Sequence, residues 1–241
     1  MRLDKLLANA GYGSRKEVKQ LLKQKAVTVD GKMVKDPSMH VDPEVQEIYV
    51  LGEKLEYKEF IYIMLNKPPG VISATEDLYD KTVIDLLSPI DRHYKPFPVG
   101  RLDKDTVGLL LLTNDGKLAH NLLSPKKHVP KTYYAKIDGL VTKEDVEAFR
   151  QGVELDDGYV TKPAQLNIIK SDEKSEIELT IYEGKFHQVK RMFEAVGKKV
   201  TFLKRLLMGS LQLDEKLKYG EYRELTMEEL ELIQNEITKE E

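Results

Sequence analysis

Asp103 is the carboxylate of this chain best placed to do chemistry. It sits in the polar stretch Gly100-Arg101-Leu102-Asp103-Lys104-Asp105-Thr106, directly ahead of the apolar run 107–112. That run is too short for a membrane span and reads as an interior strand. Asn114-Asp115-Gly116 ends it with turn chemistry. An acid held by a loop at the mouth of a rigid core strand can serve as nucleophile or as acid–base group. The same residues also allow a plainer arrangement, in which Asp103 closes an Asx-turn or pairs with Arg101.

Composition removes several competing chemistries. The 241 residues contain no cysteine, so disulfides and thiolate metal sites are excluded. There is no Walker loop, no dinucleotide fingerprint and no His/Asp cluster with metal-ligand spacing. The five histidines are scattered, and His187 reads as a residue satisfying local hydrogen bonds. No apolar segment has the length of a membrane span, and Met1-Arg-Leu-Asp-Lys5 lacks a signal peptide's apolar core. These features lead us to expect a soluble cytoplasmic protein with no metal and no cofactor.

Charge is unevenly placed. The net charge is −3, yet residues 1–35 carry nine Lys/Arg against three Asp/Glu, and residues 183–206 carry seven against two. Residues 221–241 hold eight acids against two bases and read as a solvated counterweight. Two basic segments in an acidic chain point to local phosphate-binding faces.

The N-terminal elements emerge from spacing. Leu3, Leu6, Leu7 and Ala10 recur at helical intervals until Gly11 and Gly13 break the pattern. Ser14 and Glu17 form a capping box for a second helix, which buries Val18, Leu21 and Leu22 and exposes a basic face. Val27-Thr-Val29, Asp30-Gly31 and Lys32-Met-Val34 read as a hairpin with a two-residue turn. Residues 53–60 are charged without an apolar stripe and read as a linker, so the chain is expected to divide into 1–58 and 59–241.

In the second part, residues 61–65 form an apolar strand ended by the rigid turn Asn66-Lys67-Pro68-Pro69-Gly70. Residues 71–73 are expected to continue the sheet, and residues 82–87 to form a short helix stopped near Pro89. Next come a helix over 117–123, an alternating strand over 131–137 and a capped helix opening at Thr142. Further along lie a strand around Ile177, Leu179 and Ile181, and an amphipathic helix on Val189, Met192, Phe193 and Val196 ended by Gly197. Short strands at 200–203 and 211–213 complete an α+β domain with a mixed, mostly antiparallel sheet. Tyr133 and Tyr134 point to opposite faces of their strand, so only one can face a pocket. Tyr133 is either a core tyrosine or a stacking surface. Lys190 has a candidate surface partner in Glu194 at i+4.

These segments resemble two known families. Ser14-Arg15, the basic helix and Val27-Thr-Val-Asp-Gly31 are similar to the S4 RNA-binding domain over roughly residues 1–52. That resemblance implies that Arg2, Lys5, Ser14, Arg15, Lys16 and Lys19 face RNA phosphates, contacts that give affinity with little sequence reading. The remainder resembles the RNA pseudouridine synthases, most closely their RsuA branch. The resemblance rests on Met64-Leu-Asn66-Lys67-Pro68-x-Gly70, Gly100-Arg101-Leu102-Asp103, Lys131-Thr-Tyr133 and Glu183-Gly-Lys-Phe-His187-Gln188-Val-Lys190-Arg191-Met-Phe193. Thr161-Lys-Pro-Ala164 and Arg205-x-x-x-Gly209 also fit. It implies Asp103 as nucleophile, Tyr133 as active-site tyrosine and Lys190 as the active-site basic residue, a position where many relatives have Arg. It further implies that Arg101, Asn66, Lys67, His187, Gln188, Arg191 and Arg205 bind substrate.

The implied reaction breaks the N1–C1′ bond of a uridine, turns the base and joins C5 to C1′. Asp103 can attack C1′ of the ribose or C6 of the base. A nearby cation offsets the burial that would raise its pKa, the role assigned to Lys190. Tyr133 can stack the extruded uracil, and Arg101 can hold a phosphate or brace the vacated stack. The expected substrate is a uridine of small-subunit rRNA, offered as an assembly intermediate to a monomeric enzyme. A large-subunit uridine is the alternative target. A non-catalytic rRNA-binding assembly factor is the alternative of another class, against which Asp103, Tyr133 and Lys190 together argue.

Overall fold

A computed structural model describes residues 1–238. The chain forms two compact units, residues 1–61 with 88–95, and residues 62–87 with the chain from 96 onward.

In the first unit, α1 (Leu3–Asn9) and α2 (Arg15–Lys23) pack beside a four-stranded sheet of β1 (Val27–Val29), β2 (Lys32–Met33), β3 (Ile48–Val50) and β4 (Glu53–Lys54) in the order β2-β1-β3-β4. The Ser14–Glu17 capping box is present and starts α2. The hairpin turns on Asp30 and Gly31, both at positive φ, as a two-residue turn between right-twisted strands requires. Leu3, Leu6, Leu7, Val18, Leu22, Val27, Val29, Ile48 and Val50 fill the core. Leu21, expected inside, is only half-buried. Nor is the segment 53–60 wholly a linker, because Glu53 and Lys54 extend the sheet as its edge strand.

The second unit opens with β5 (Tyr62–Lys67). Residues 71–73 do not continue it; they make one isolated bridge, Ile72 with Thr82. A 3-10 turn at Ile84–Leu86 replaces the expected helix, and Pro89 starts a helix instead of stopping one. Ser88 caps that helix, α3 (Pro89–His93), and proline at its first position has no amide to satisfy. This helix belongs to the first unit, where His93 Nε2 lies 3.2 Å from the Ala8 carbonyl.

The chain continues through β6 (Phe97–Pro98), β7 (Val107–Thr113), α4 (Gly116–Leu123), β8 (Lys131–Asp138), α5 (Lys143–Gln151), β9 (Gln165–Lys170) and β10 (Lys174–Ile181). α6 (Gln188–Ala195), β11 (Lys199–Met208), β12 (Leu211–Gln212), β13 (Tyr222–Glu224) and α7 (Met227–Thr238) complete the unit. The nine-stranded sheet runs β13-β5-β7-β11-β8-β10-β9, with β6 on β7 and β12 on β11. Among the strands of the described residues, β7 and β11 pair in parallel and the other pairs of this sheet are antiparallel. The fold is therefore α+β with a mixed, mostly antiparallel sheet.

The parallel pair depends on a glycine. Gly108 has φ +100°, and a Cβ there would stand 2.9 Å from the amide nitrogen of Arg205 and closer still to its carbonyl. The missing side chain thus lets the strand carrying Arg205 lie against the strand that comes after Asp103. One core layer joins Met64, Leu109, Leu111, Leu118 and Leu122 to Ile233 and Ile237 of α7. The C-terminal segment is consequently a packed helix through residue 238 where a solvated tail was expected; residues 239–241 of that expectation lie outside the described residues. No helix among the described residues is long and apolar enough to cross a membrane.

Candidate active site

The loop carrying Asp103 is held from three sides. Ser73 Oγ donates to the Leu102 carbonyl at 2.9 Å and accepts from the Leu102 amide at 3.0 Å. The Gly70 amide donates to the Lys104 carbonyl at 2.8 Å. Beneath the loop, the fully buried Lys67 ammonium donates to the carbonyls of Pro68 (3.1 Å), Lys104 (3.3 Å) and Thr106 (2.9 Å). Burial pushes Lys67 down to about 8, against the opposing pull of the Asp105 and Asp103 charges. Lys67 is therefore out of reach of substrate and acts as a positioning residue, which corrects its expected binding role.

Asp103 neither closes an Asx-turn nor pairs with Arg101. Its Oδ2 is 3.0 Å from Lys190 Nζ, and its Oδ1 is 3.5 Å from His187 Nε2. Lys190 also reaches Asp105 at 2.7 Å, so its partners are two aspartates and not Glu194. Burial alone would lower the Lys190 pKa, but its hydrogen bonds to Asp105 and Asp103 prevail and hold it above the ordinary lysine value. Asp105 is likewise pushed up by burial and brought down further by Lys190, ending below the usual carboxylate range. The site thus holds a permanent cation against the Asp103 carboxylate, which is only a quarter exposed.

A cavity of about 390 Å³ opens beside this pair. Asp103, Thr106, Tyr133, His187, Gln188 and Arg205 are among its lining residues, as are Lys131 and Glu183. Alternation along β8 turns Tyr133 toward the cavity, while Tyr134 on the other face donates to Glu176 at 2.5 Å. The Tyr133 ring is buried, and its hydroxyl makes no hydrogen bond among the described residues. Arg101 also lines the cavity, exposed and without an ion pair among the described residues. His187 starts α6 in the left-handed region (φ +48°) and stacks on the exposed Phe186 ring, centroids 3.8 Å apart.

Other expected binding residues are occupied elsewhere. Asn66 is buried and donates to the Leu217 carbonyl at 2.7 Å, outside the cavity. Gln188 lines the cavity, yet its amide bridges Glu183 Oε1 (2.8 Å) and the Lys185 amide (2.8 Å), bracing the turn into α6. Arg191 pairs with Asp156 and with Asp157 (2.7 Å), away from Asp103. Arg205 is 2% exposed, donates from Nε to the Leu109 carbonyl at 2.8 Å and leaves Nη2 without a partner. Lys131, absent from the sequence-derived site, lies two residues from Tyr133 on the same strand face; the period-2 pattern of that strand was the signal for it.

The first unit offers a cationic surface. Lys5, Arg15, Lys16 and Lys19 are exposed and make no ion pair among the described residues. Arg2 instead grips the buried Asp4 through two hydrogen bonds of 3.0 and 2.8 Å. The Ser14 side chain is engaged in its capping box. Neither is available for phosphate in the manner expected.

Chemically, the cavity combines a carboxyl group at its mouth, an ammonium 3.0 Å from it and an aromatic wall, and no group of three or more metal-ligating side chains is present among the described residues. Residues 61–195 match the family model for RNA pseudouridylate synthase, and residues 1–46 match that for the S4 domain. The RNA pseudouridine synthase YtzG of Bacillus subtilis (strain 168), itself uncharacterized, is 59% identical over 97% of this chain and 98% of its own length. Ribosomal small subunit pseudouridine synthase A of Vibrio vulnificus (strain CMCP6) is 42% identical over 97% of this chain and 99% of its own. Ribosomal large subunit pseudouridine synthase B of Bacillus subtilis (strain 168) is also 42% identical, over 95% and 93%. A crystal structure of a pseudouridylate synthase superposes with TM-score 0.68 at 39% identity, covering 97% of this chain and 99% of that one. With Asp103 and Tyr133 lining one cavity, Lys190 paired to Asp103 and an S4 domain earlier in the sequence, this chain belongs to the RNA pseudouridylate synthase family.

Proposed function

We propose that this enzyme converts one uridine of small-subunit rRNA to pseudouridine, with Asp103 as nucleophile. The observation that carries the reading is the Asp103–Lys190 pair at the mouth of a cavity walled by Tyr133. Lys190 sets a cation 3.0 Å from the carboxylate, where its attraction strengthens as RNA excludes water. The flipped uracil stacks on Tyr133, and exposed Arg101 meets the nucleotide's phosphate or fills its place in the stack. Asp103 attacks at C1′ or C6, the base turns within the cavity, and C5 is joined to C1′ with loss of the C5 proton. The isomerisation is redox-neutral and draws on no cofactor.

The S4 domain supplies affinity through phosphate contacts from Lys5, Arg15, Lys16 and Lys19. We take the enzyme to act as a monomer on an assembly intermediate in the cytoplasm. A relative named for the large subunit stands at the same 42% identity as one named for the small subunit. Large-subunit rRNA is therefore the second candidate substrate. Sequencing of the modified position after incubation with each transcript, naked and as assembly particles, separates them; pseudouridine confined to large-subunit RNA would overturn the small-subunit assignment.

A further inference from the structure

The floor of the cavity holds positive charge with no counter-ion among the described residues. Arg205, 2% exposed, makes one hydrogen bond to the Leu109 carbonyl and leaves Nη2 unpartnered. The half-buried Lys131 ammonium donates to the Val129 carbonyl at 3.1 Å and pairs with no acid among the described residues. Burial, with the neighbouring Arg205 charge adding to it, pushes Lys131 down to about 8. Thr106 Oγ1, buried at the same cavity, is also unpartnered.

The carboxylates lining the cavity are committed elsewhere. Asp103 faces Lys190 and His187. Glu183 accepts from the Tyr159 hydroxyl (2.6 Å), the Lys162 amide (2.9 Å) and Gln188 Nε2 (2.8 Å). Desolvated cations without partners are unfavourable unless an anion arrives to meet them.

Depth decides the identity of that anion. An RNA phosphodiester is tethered on both sides and stays near the mouth, where exposed Arg101 and Lys185 line the cavity. Only the base projects far enough to reach the floor. Arg205 is the cross-strand partner of Tyr133, and Lys131 lies next along the same face, so a ring stacked on Tyr133 meets both cations.

We propose that Lys131 and Arg205 form an anion site for the uracil ring, stabilising the negative charge it gains during the isomerisation. The proposal rests on the pseudouridine synthase reading of this cavity. In attack at C1′, an Asp103 oxygen bonds to C1′ as the N1–C1′ bond breaks. The electron pair leaves on N1 and spreads to O2 and O4. In attack at C6, the pair of the C5–C6 double bond moves through C4 to O4. Either course places charge on ring oxygens, where preorganised donors act most strongly. In the C1′ course the C5–C1′ bond then forms as Asp103 leaves C1′ with its pair, and C5 loses its proton. In the C6 course the N1–C1′ bond breaks with its pair on N1, the enolate pair joins C5 to C1′, and loss of the C5 proton restores the C5–C6 double bond as Asp103 leaves C6 with its pair. N1 takes up a proton in both, so composition is unchanged.

The test titrates 5-fluorouracil bound to the intact protein, reading its ionisation by fluorine NMR, beside tritium release from C5-labelled rRNA. The bound base is expected to ionise at least about one pH unit below the free base. Lys131→Met should abolish that shift and slow single-turnover release by about 10²-fold at saturating RNA, whereas Lys131→Arg should retain both. Far-ultraviolet circular dichroism establishes that each variant is folded, and the wild-type titration stands without them. An unshifted ionisation, no binding of the base, or displacement of it by inorganic phosphate would overturn the proposal while wild-type release persists. Absence of release from any rRNA by wild type would instead overturn the reading beneath it.

Discussion

The groups that face Asp103, Lys190 and His187, come from outside its own loop. Lys190 comes from α6, far along the chain, and stays charged although half-buried because two aspartates share it. Replacing Lys190 with Met removes the ammonium from Asp103 and leaves it only His187 at 3.5 Å; we expect single-turnover release to fall by about 10²–10³-fold, with Lys190→Arg recovering most of it. Lys67 affects stability instead. Its folded pKa of about 8 lies below the ordinary 10.5, so between those values the unfolded chain binds more protons and stability rises with pH. Below about pH 8 the ammonium is charged in both states and its burial penalty is fully present. Relative to Lys67→Met, the wild type should therefore gain in denaturant midpoint from about pH 7.5 to about pH 10; an unchanged difference would contradict a desolvated ammonium under the Asp103 loop. Asn66, Lys67 and Arg191 show the limit of motif reading at this scale. Their presence was legible, but whether a side chain turns outward to substrate or inward to carbonyls and acids depends on tertiary packing. Thr106 was missed for the same reason, whereas Lys131 shares the strand face of Tyr133 and was open to the alternation pattern.

Among the elements, β7, β8 and α6 were legible because their apolar patterns are local and unbroken: 107–112 without interruption, Tyr133-Ala135-Ile137 alternating, Val189-Met192-Phe193 at helical spacing. β9 and β13 were not, since edge strands with exposed residues carry weak alternation. Residues 71–73 were misread because a Val-Ile pair imitates a strand, whereas its function here is to bring Ser73 onto Leu102. In α7 the spacing of Leu230, Ile233 and Ile237 was present but masked by surrounding acids. Ile233 is 1% exposed and packs with the layer containing Met64 and Leu109. Ile233→Ala should destabilise the protein by about 2–5 kcal/mol in urea unfolding; a change under about half a kcal/mol would mean that the helix contributes little to the core. Gly108 belongs at this scale too, because its missing side chain lets β7 and β11 meet and so sets Arg205 near Asp103's strand.

For the molecule as a whole, a net charge of −3 conceals a cationic N-terminal face, and RNA affinity should track that face and not the total. Each of Arg15, Lys16 and Lys19 that contacts phosphate should contribute about 0.7–0.9 to the slope of log K against log salt. Replacing all three with Ala should flatten that slope by roughly 2 while leaving single-turnover chemistry at saturating RNA unchanged; an unaltered slope would place the phosphate contacts elsewhere. The capping box, the hairpin and the ordered motifs pointed to a division at residue 58, while the return of residues 88–95 to the first compact unit was not legible, because only tertiary contact defines it. The most direct test of the central claim is tritium release from C5-labelled small-subunit rRNA and its assembly particles, wild type beside Asp103→Asn. Release by wild type, reduced more than about 10³-fold in the variant with RNA binding intact, is the predicted result. Equal release by both proteins would contradict Asp103 as nucleophile, and release by neither would contradict the proposed reaction on this RNA.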